Sequence, residues 1–327
     1  MPVYNRFELT KRAVESVLAQ TLPVSELILV DDGSIDGTSE FLPSYIAENT
    51  AWRGRVRYLH QENQGVSTAR NQGIEQAKGE WLAFNDNDDF WLPQKLEWQF
   101  RAIEKYKDQC GLCFTDAWFM NTVSTKTSLF QHYRVEYKEP IGLVGNLEGL
   151  VAHLGQVWIQ TVVVRADLVR RMGGFDCSIH YNEDQEFLFR MAFATRFCYV
   201  SMPMTLIDKT PQRHLGRSTN SHREDFRLQM LQSRLEKNLE SCGSLSPRIA
   251  KTLRAKLRAV QSHWANWHLR NGDYKNARRS LSQAIKCGLA PGIALKWTLV
   301  WVAPGLAKWV VELRERNAND PDRCADF

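Results

Sequence analysis

Apolar positions recur every three to four residues between Glu8 and Gln20, so that Leu9, Ala13, Val14, Val17 and Leu18 share one helical face. The pattern then changes. Leu27-Ile28-Leu29-Val30 is a short unbroken apolar run ended by Asp31-Asp32-Gly33-Ser34, which reads as a buried strand and a turn. Thr38 to Ala47 reads as a helix, Arg55 to Leu59 as a strand, and Ser67 to Ala77 as a helix closed by Gly79. Trp81-Leu82-Ala83-Phe84 is the next strand, broken by the acidic run Asp86-Asn87-Asp88-Asp89. Pro93 stands at the favoured first position of a helix reaching Tyr106, and Gly111 to Thr115 is a further strand. Strands alternating with helices at this spacing predict an α/β fold, a mainly parallel sheet flanked by helices on both faces.

From Asp116 to Gly155 the pattern is less regular and predicts loops. Val162 to Arg165 and Phe197 to Val200 read as strands, with a helix from Glu183 to Ala194 between them. After Asp225 the periodicity is almost wholly helical. Its stretch His268 to Tyr274, followed by Ala277, Ala284 and Pro291, resembles one tetratricopeptide-type hairpin, and a single copy makes an appendage and not a solenoid. The predicted division is an α/β domain over 1–222 and a basic helical region over 223–327.

Charge sharpens that division. From Lys209 onward 22 Lys and Arg stand against 10 Asp and Glu, a net of +12, which leaves −7 for the first 208 residues. At 327 residues, 43% hydrophobic and 24% charged, the chain is long enough and apolar enough for a substantial core. Seven scattered Cys, an odd number with no repeated metal-type pairing, read as reduced thiols of a cytoplasmic protein. No secretory leader is legible at Met1-Pro2-Val3-Tyr4, and no stretch reaches the roughly 18 apolar residues of a membrane span. Ile293 to Val311 comes nearest and is interrupted by Lys296 and Lys308.

Four elements carry candidate chemistry. Asp31-Asp32 stands at the carboxyl end of a strand, where open parallel sheets bind ligands, although taken alone these residues read first as an Asx-turn and helix cap. Asn63 to Gly73 offers Gly65, a helix start and the cation Arg70 to an anion; its alternative is a capped helix with a solvent-facing Arg. Neither a P-loop nor a dinucleotide fingerprint is present. The acidic run is the strongest signal, because three carboxylates in four positions after an apolar strand repel one another without a cation. A continuing strand would point Asp86 and Asp88 to one side, and oxygen-only ligands suit Mg²⁺ or Mn²⁺. Asp89 reads as the cap of the Pro93 helix. The fourth element is Gly173-Gly174-Phe175-Asp176 leading to Glu183-Asp184, which serves either as a general base or as helix capping.

As an ordered set these elements resemble the family 2 glycosyltransferases of the GT-A fold. The matching stretches are Pro2 to Asn5, Val30 to Asp36, Asn63 to Gly73, Phe84 to Trp91, and Gly174-Phe175-Asp176 with Glu183-Asp184, spread over residues 1–220. The resemblance implies a nucleotide-diphospho-sugar donor held by Pro2, Tyr4, Asn5, Asp32, Arg70, Asp86 and Asn87, with Asp32 on a uracil-type base. It implies Mg²⁺ or Mn²⁺ on Asp88 and Asp86 with His214 as a further metal-site residue, in the Lys209 to Asn220 loop that closes over the diphosphate. Asp184, with Glu183 as the substitute, becomes the base of an inverting single displacement onto a glycan or lipid-linked acceptor.

Family members carry an apolar strand immediately before the Pro-x-Tyr-Asn turn. Only Met1 precedes it here, so the resemblance leads one to expect either a chain that starts upstream of Met1 or a form in which that strand is missing. The basic C-terminal helices with Trp297, Trp301 and Trp309 suit peripheral contact with an anionic membrane, or equally a local core with a solvated basic face. No nucleic-acid module accompanies the positive charge. The rival functions are a sugar nucleotidyltransferase, which lacks its Gly-rich triphosphate loop here, and a non-catalytic interaction protein with a decayed enzyme domain.

Overall fold

The computed structural model describes residues 1–120, 127–152, 154–208, 223–242 and 247–318. The chain divides into two compact units, Met1–Arg217 and Ser218–Phe327.

In the first unit β1 (Pro2–Val3), α1 (Phe7–Leu18), β2 (Leu27–Asp32), α2 (Thr38–Glu48) and β3 (Val56–Gln61) alternate as the hydrophobic pattern predicts. The three strands form a parallel sheet in the order β1-β2-β3. All six residues of β2 are buried, as expected of a central strand covered on both faces. The strand before the Pro-x-Tyr-Asn turn is represented by Pro2–Val3 itself, which pairs with Val30 and Asp31.

Next come α3 (Val66–Gln76), β4 (Trp81–Ala83), β5 (Phe90–Trp91), α4 (Lys95–Lys105) and β6 (Cys110–Met120). Then follow α5 (Leu129–His132), β7 (Ile141–Leu143), α6 (Leu147–Ala152), β8 (Val162–Arg165), α7 (Ala166–Arg171), α8 (Glu183–Ala194) and β9 (Arg196–Asp208). These later strands make a second, mixed sheet in the order β4-β8-β6-β9-β5, with β7 also on β9. Only β6 and β9 pair in parallel there. Among the described residues no strand pairing joins the two sheets. They share one hydrophobic core instead, in which Val14 and Val17 of α1 and Leu27 and Leu29 of β2 cluster with Trp91, Ile103, Cys113, Val163 and Val200. Each such aliphatic side chain contributes about 1.5–3 kcal/mol on burial. Pro93 precedes α4 by two residues, so that helix starts later than the sequence pattern suggests.

The second unit is helical: α9 (Glu224–Cys242), α10 (Pro247–Arg270), α11 (Tyr274–Lys286), α12 (Pro291–Val302) and α13 (Pro304–Ala318). The hairpin read from sequence is α10–α11, with Asp273 capping α11 through Asn276 N at 3.0 Å. Leu269, Ala277 and Leu281 pack with Val300, Ala307 and Val311 in its core. No helix among the described residues is long and apolar enough to cross a membrane.

Candidate functional site

Three turns meet at the carboxyl ends of β1, β2 and β4, where an open α/β sheet binds its ligands. Asn5 and Arg6 lie between β1 and α1 in left-handed backbone, with φ of 58° and 68°. Hydrogen bonds hold them there. Asn5 N donates to Ser34 Oγ (2.8 Å), Asn5 Oδ1 accepts from Ile35 N (2.8 Å), and Arg6 N donates to Asp36 Oδ2 (2.6 Å). Asn87 completes the junction by donating to Asn5 O and Thr10 Oγ1, both at 3.0 Å. Asn87 thus anchors the β1 turn, with its amide engaged by protein atoms. Pro2 lies in β1, and Tyr4 is half-buried beside the turn.

The carboxylates after β2 divide their work. Asp31 is fully buried and accepts from Ser34 N and Oγ, Ser39 Oγ and Tyr58 OH. Burial pushes its pKa upward, yet the hydrogen bonds from Ser34, Tyr58 and Ser39 prevail and hold it below the ordinary carboxylate value. Asp32 accepts from Gln61 Nε2 (2.7 Å), Gln64 N (2.8 Å) and Gly65 N (2.9 Å), and so closes the loop that leads into α3. Gly33, at φ 72°, lets this loop come close: a Cβ there would lie 2.8 Å from Asn63 N.

The acidic run lies beyond β4 in a turn and not on a continuing strand, with Asp89 N donating to Asp86 O at 3.3 Å. Strand alternation is therefore not what gathers these side chains. The turn does so, placing carboxylate oxygens of Asp86, Asp88 and Asp89 within 4.8 Å of one another. Nor are the charges left to repel. Arg6 Nη1 contacts Asp88 Oδ2 at 2.8 Å, Arg70 Nη2 contacts Asp86 Oδ1 at 2.8 Å, and Gln160 Nε2 donates to Asp86 Oδ2 (2.9 Å) and Asp89 Oδ2 (2.6 Å). Asp89 does not cap the helix after Pro93. Its Oδ1 accepts from Asp208 N at 3.0 Å, which ties the turn to the end of β9.

Arg70 is the hub. Its side chain is only 4% exposed, so the solvent-facing alternative is excluded. It contacts Glu183 Oε1 at 2.7 Å through Nη1 while holding Asp86 through Nη2, and it lies over the Phe175 ring at 5.1 Å. Burial works against its charge, but Asp86 and Glu183 outweigh burial and raise its pKa. The second half of the site is brought in by Asn71, one residue along α3. Its amide donates to Phe175 O and accepts from Phe175 N, both at 2.8 Å. Phe175 stacks on Phe187 of α8 at 4.4 Å, and Phe84 meets Phe175 at 5.5 Å. These rings join the acidic turn, the Gly173-Gly174 turn and α8.

Glu183 and Asp184 open α8 behind Asn182, whose φ is 56°. Asp184 is partly exposed, and its Oδ1 accepts from Gln185 N at 2.8 Å. Glu183 is instead committed to Arg70. His214 lies outside the described residues. The sequence reading missed Arg6 and Gln160. Arg6 adjoins the Pro2–Asn5 element and its charge was a usable signal, whereas Gln160 stands in a stretch with no pattern around it.

The three carboxylates form an all-oxygen donor set of the kind that hard divalent cations take, so Asp86, Asp88 and Asp89 fit Mg²⁺ or Mn²⁺.

Residues 1–153 match the sequence model of the family described as Glycosyl transferase family 2. The chain is 34% identical over 173 residues to the putative teichuronic acid biosynthesis glycosyltransferase TuaG of Bacillus subtilis, covering 51% of this chain and 67% of that one. It is 42% identical over 105 residues to an uncharacterized glycosyltransferase of Rickettsia felis, which is 32% of this chain and 17% of its relative's length. In structure it resembles S. aureus TarS 1–349 in complex with UDP-GlcNAc, with a TM-score of 0.68 at 17% identity, over 97% of this chain and 90% of that one. It also resembles the mannosyltransferase PcManGT of Pyrobaculum calidifontis in complex with GDP-Man and Mn²⁺, with a TM-score of 0.53 at 17% identity, over 98% and 86%. These likenesses identify the fold as GT-A.

Proposed function

The chain belongs to glycosyl transferase family 2, and on that premise we propose that it moves a sugar from a nucleotide-diphospho-sugar, first of all a UDP-sugar, to a glycan or lipid-linked acceptor. One observation carries the reading. The Asp86–Asp89 turn and the Glu183-Asp184 helix start are joined through Arg70, which contacts a carboxylate of each.

Asp184 is the proposed base. It takes the proton of an acceptor hydroxyl as that oxygen attacks the anomeric carbon, while the bond from that carbon to the diphosphate breaks on the opposite side. One displacement of this kind inverts the anomeric configuration. Arg70 fixes Glu183 beside the base and Asp86 beside the diphosphate, which keeps the two halves in register. Asp86, Asp88 and Asp89 would hold the Mg²⁺ or Mn²⁺, which when bound offsets charge on the departing nucleoside diphosphate. Pro2, Tyr4, Asn5, Asp32 and Asn87 shape the nucleotide side, the last three by holding its loops in place. The TarS complex with UDP-GlcNAc supports a uridine donor.

The second unit supports a peripheral position on an anionic membrane. Leu306, Trp309 and Leu313 are exposed at helical spacing along α13, and Trp301 and Val302 are exposed at the end of α12, in the basic part of the chain. Co-sedimentation with anionic vesicles should fall as salt rises, and equal pelleting on neutral vesicles would sink this assignment.

The enzymatic reading is tested by offering UDP-, GDP- and dTDP-sugars with and without Mn²⁺ and measuring donor hydrolysis and transfer. Turnover with a UDP-sugar that chelation abolishes is the expected result. Failure with every donor would favour a protein that only binds.

A further inference from the structure

The acidic turn already contains a cation of its own, and its position is costly to maintain. Arg6 occupies left-handed backbone directly after another left-handed residue, Asn5, and neither is glycine. Backbone of this kind is strained for any residue but glycine and persists only where the surroundings over-determine it. Here they do, through Ser34, Ile35, Asp36 and Asn87. What that backbone achieves is the direction of one side chain. Arg6 Nη1 reaches Asp88 Oδ2 at 2.8 Å, with the two side chains 16% and 7% exposed. A divalent ion on Asp88 and the Arg6 guanidinium would be like charges in contact at a site largely shielded from water, where their repulsion is strong.

We propose that Arg6 is a built-in competitor for the divalent cation, holding Asp88 in the metal-free protein and giving it up when the ion arrives with a nucleoside diphosphate. The inference rests on the acidic turn being a cation site. Three consequences follow from charge alone. The ion by itself binds weakly, because it must displace a shielded ion pair. The diphosphate strengthens ion binding, because it offers the released guanidinium a new anionic partner. Ion and diphosphate are therefore thermodynamically coupled through Arg6, in equal measure in both directions.

The test is Mn²⁺ binding followed by electron paramagnetic resonance, without any acceptor or turnover. Arg6→Gln should bind Mn²⁺ alone about tenfold or more tightly than the wild type, and Arg6→Lys, which keeps a cation, should stay near the wild type. Equal or weaker affinity in Arg6→Gln overturns the inference, and UDP added to each sample shows whether the cation site exists at all. No Mn²⁺ binding in any variant, with or without UDP, removes the cation-site reading itself. A measurement on the unaltered protein guards against misfolding of the variant. The guanidinium ¹⁵N resonance of Arg6 should move when Mg²⁺ and UDP saturate the site, and a resonance that stays in place counts against the proposal.

Discussion

Arg70 and Glu183, 113 positions apart in sequence, meet at 2.7 Å with the Arg side chain almost wholly buried. The same guanidinium holds Asp86, so the elements expected to handle donor and acceptor are mechanically one object.

Removing that guanidinium should be felt as lost stability before it is felt as lost chemistry. Arg70→Met leaves two shielded carboxylates facing each other, and breaking such an arrangement costs about 3–5 kcal/mol. The urea midpoint should fall accordingly. Adding Glu183→Gln to the Met variant should recover part of the loss, and no recovery would mean that the pairing is not what Arg70 contributes.

Asp184→Asn should lower transfer by about a hundredfold or more while donor affinity and thermal stability stay near the wild type. Calorimetric titration with UDP and a melting curve supply both controls. If Glu183→Gln loses as much transfer with its fold intact and Asp184→Asn does not, the base is Glu183.

Gly174 should tolerate no side chain. Its φ is 67°, and a Cβ would lie 2.4 Å from Asn71 Oδ1, the atom that accepts from Phe175 N. Gly174→Ala is expected to cost about 1–3 kcal/mol and to reduce transfer as well, because the Asn71–Phe175 junction positions α8. A variant with unchanged melting temperature and full turnover would contradict this account of the turn.

Lys95 makes stability depend on pH. It is fully buried, 4.1 Å from the Trp91 ring centre and hydrogen-bonded to Gln99 Oε1, and burial lowers its pKa to about 7. Its unfolded value is that of free lysine, so between about 7 and 10.4 the unfolded chain binds more protons and stability rises with pH. The penalty is absent above the unfolded value, grows as pH falls through that window, and is complete below the folded value. Lys95→Met should therefore gain on the wild type by about 3–4 kcal/mol when pH falls from 10 to 7. Denaturation at both pH values measures the difference, and a gap that does not change with pH would remove Lys95 as its source.

How much of this was legible beforehand follows from the range over which each feature is encoded. The strand–helix alternation, the buried β2, the acidic turn after β4 and the helix beginning at Glu183-Asp184 each rest on a few neighbouring residues, and local pattern finds them. Their order along the chain was enough to suggest the family. Strand alternation, by contrast, was the wrong reason for expecting Asp86 and Asp88 to converge, because β4 ends at Ala83 and a turn brings them together. Capping was the wrong role for Asp89, whose partners are Gln160 and the backbone of Asp208.

By itself, then, the sequence determined the α/β alternation, the helical basic end and the identity of the acidic elements, since hydrophobic periodicity and turn chemistry act over a few residues. Tertiary structure alone decided which cation faces which carboxylate. Arg6 reaches Asp88 across 82 positions and Arg70 reaches Glu183 across 113. Such pairs depend on where separate turns are carried by a shared core, and a shielded ion pair is set by that three-dimensional proximity and by the exclusion of water, neither of which has a period along the chain.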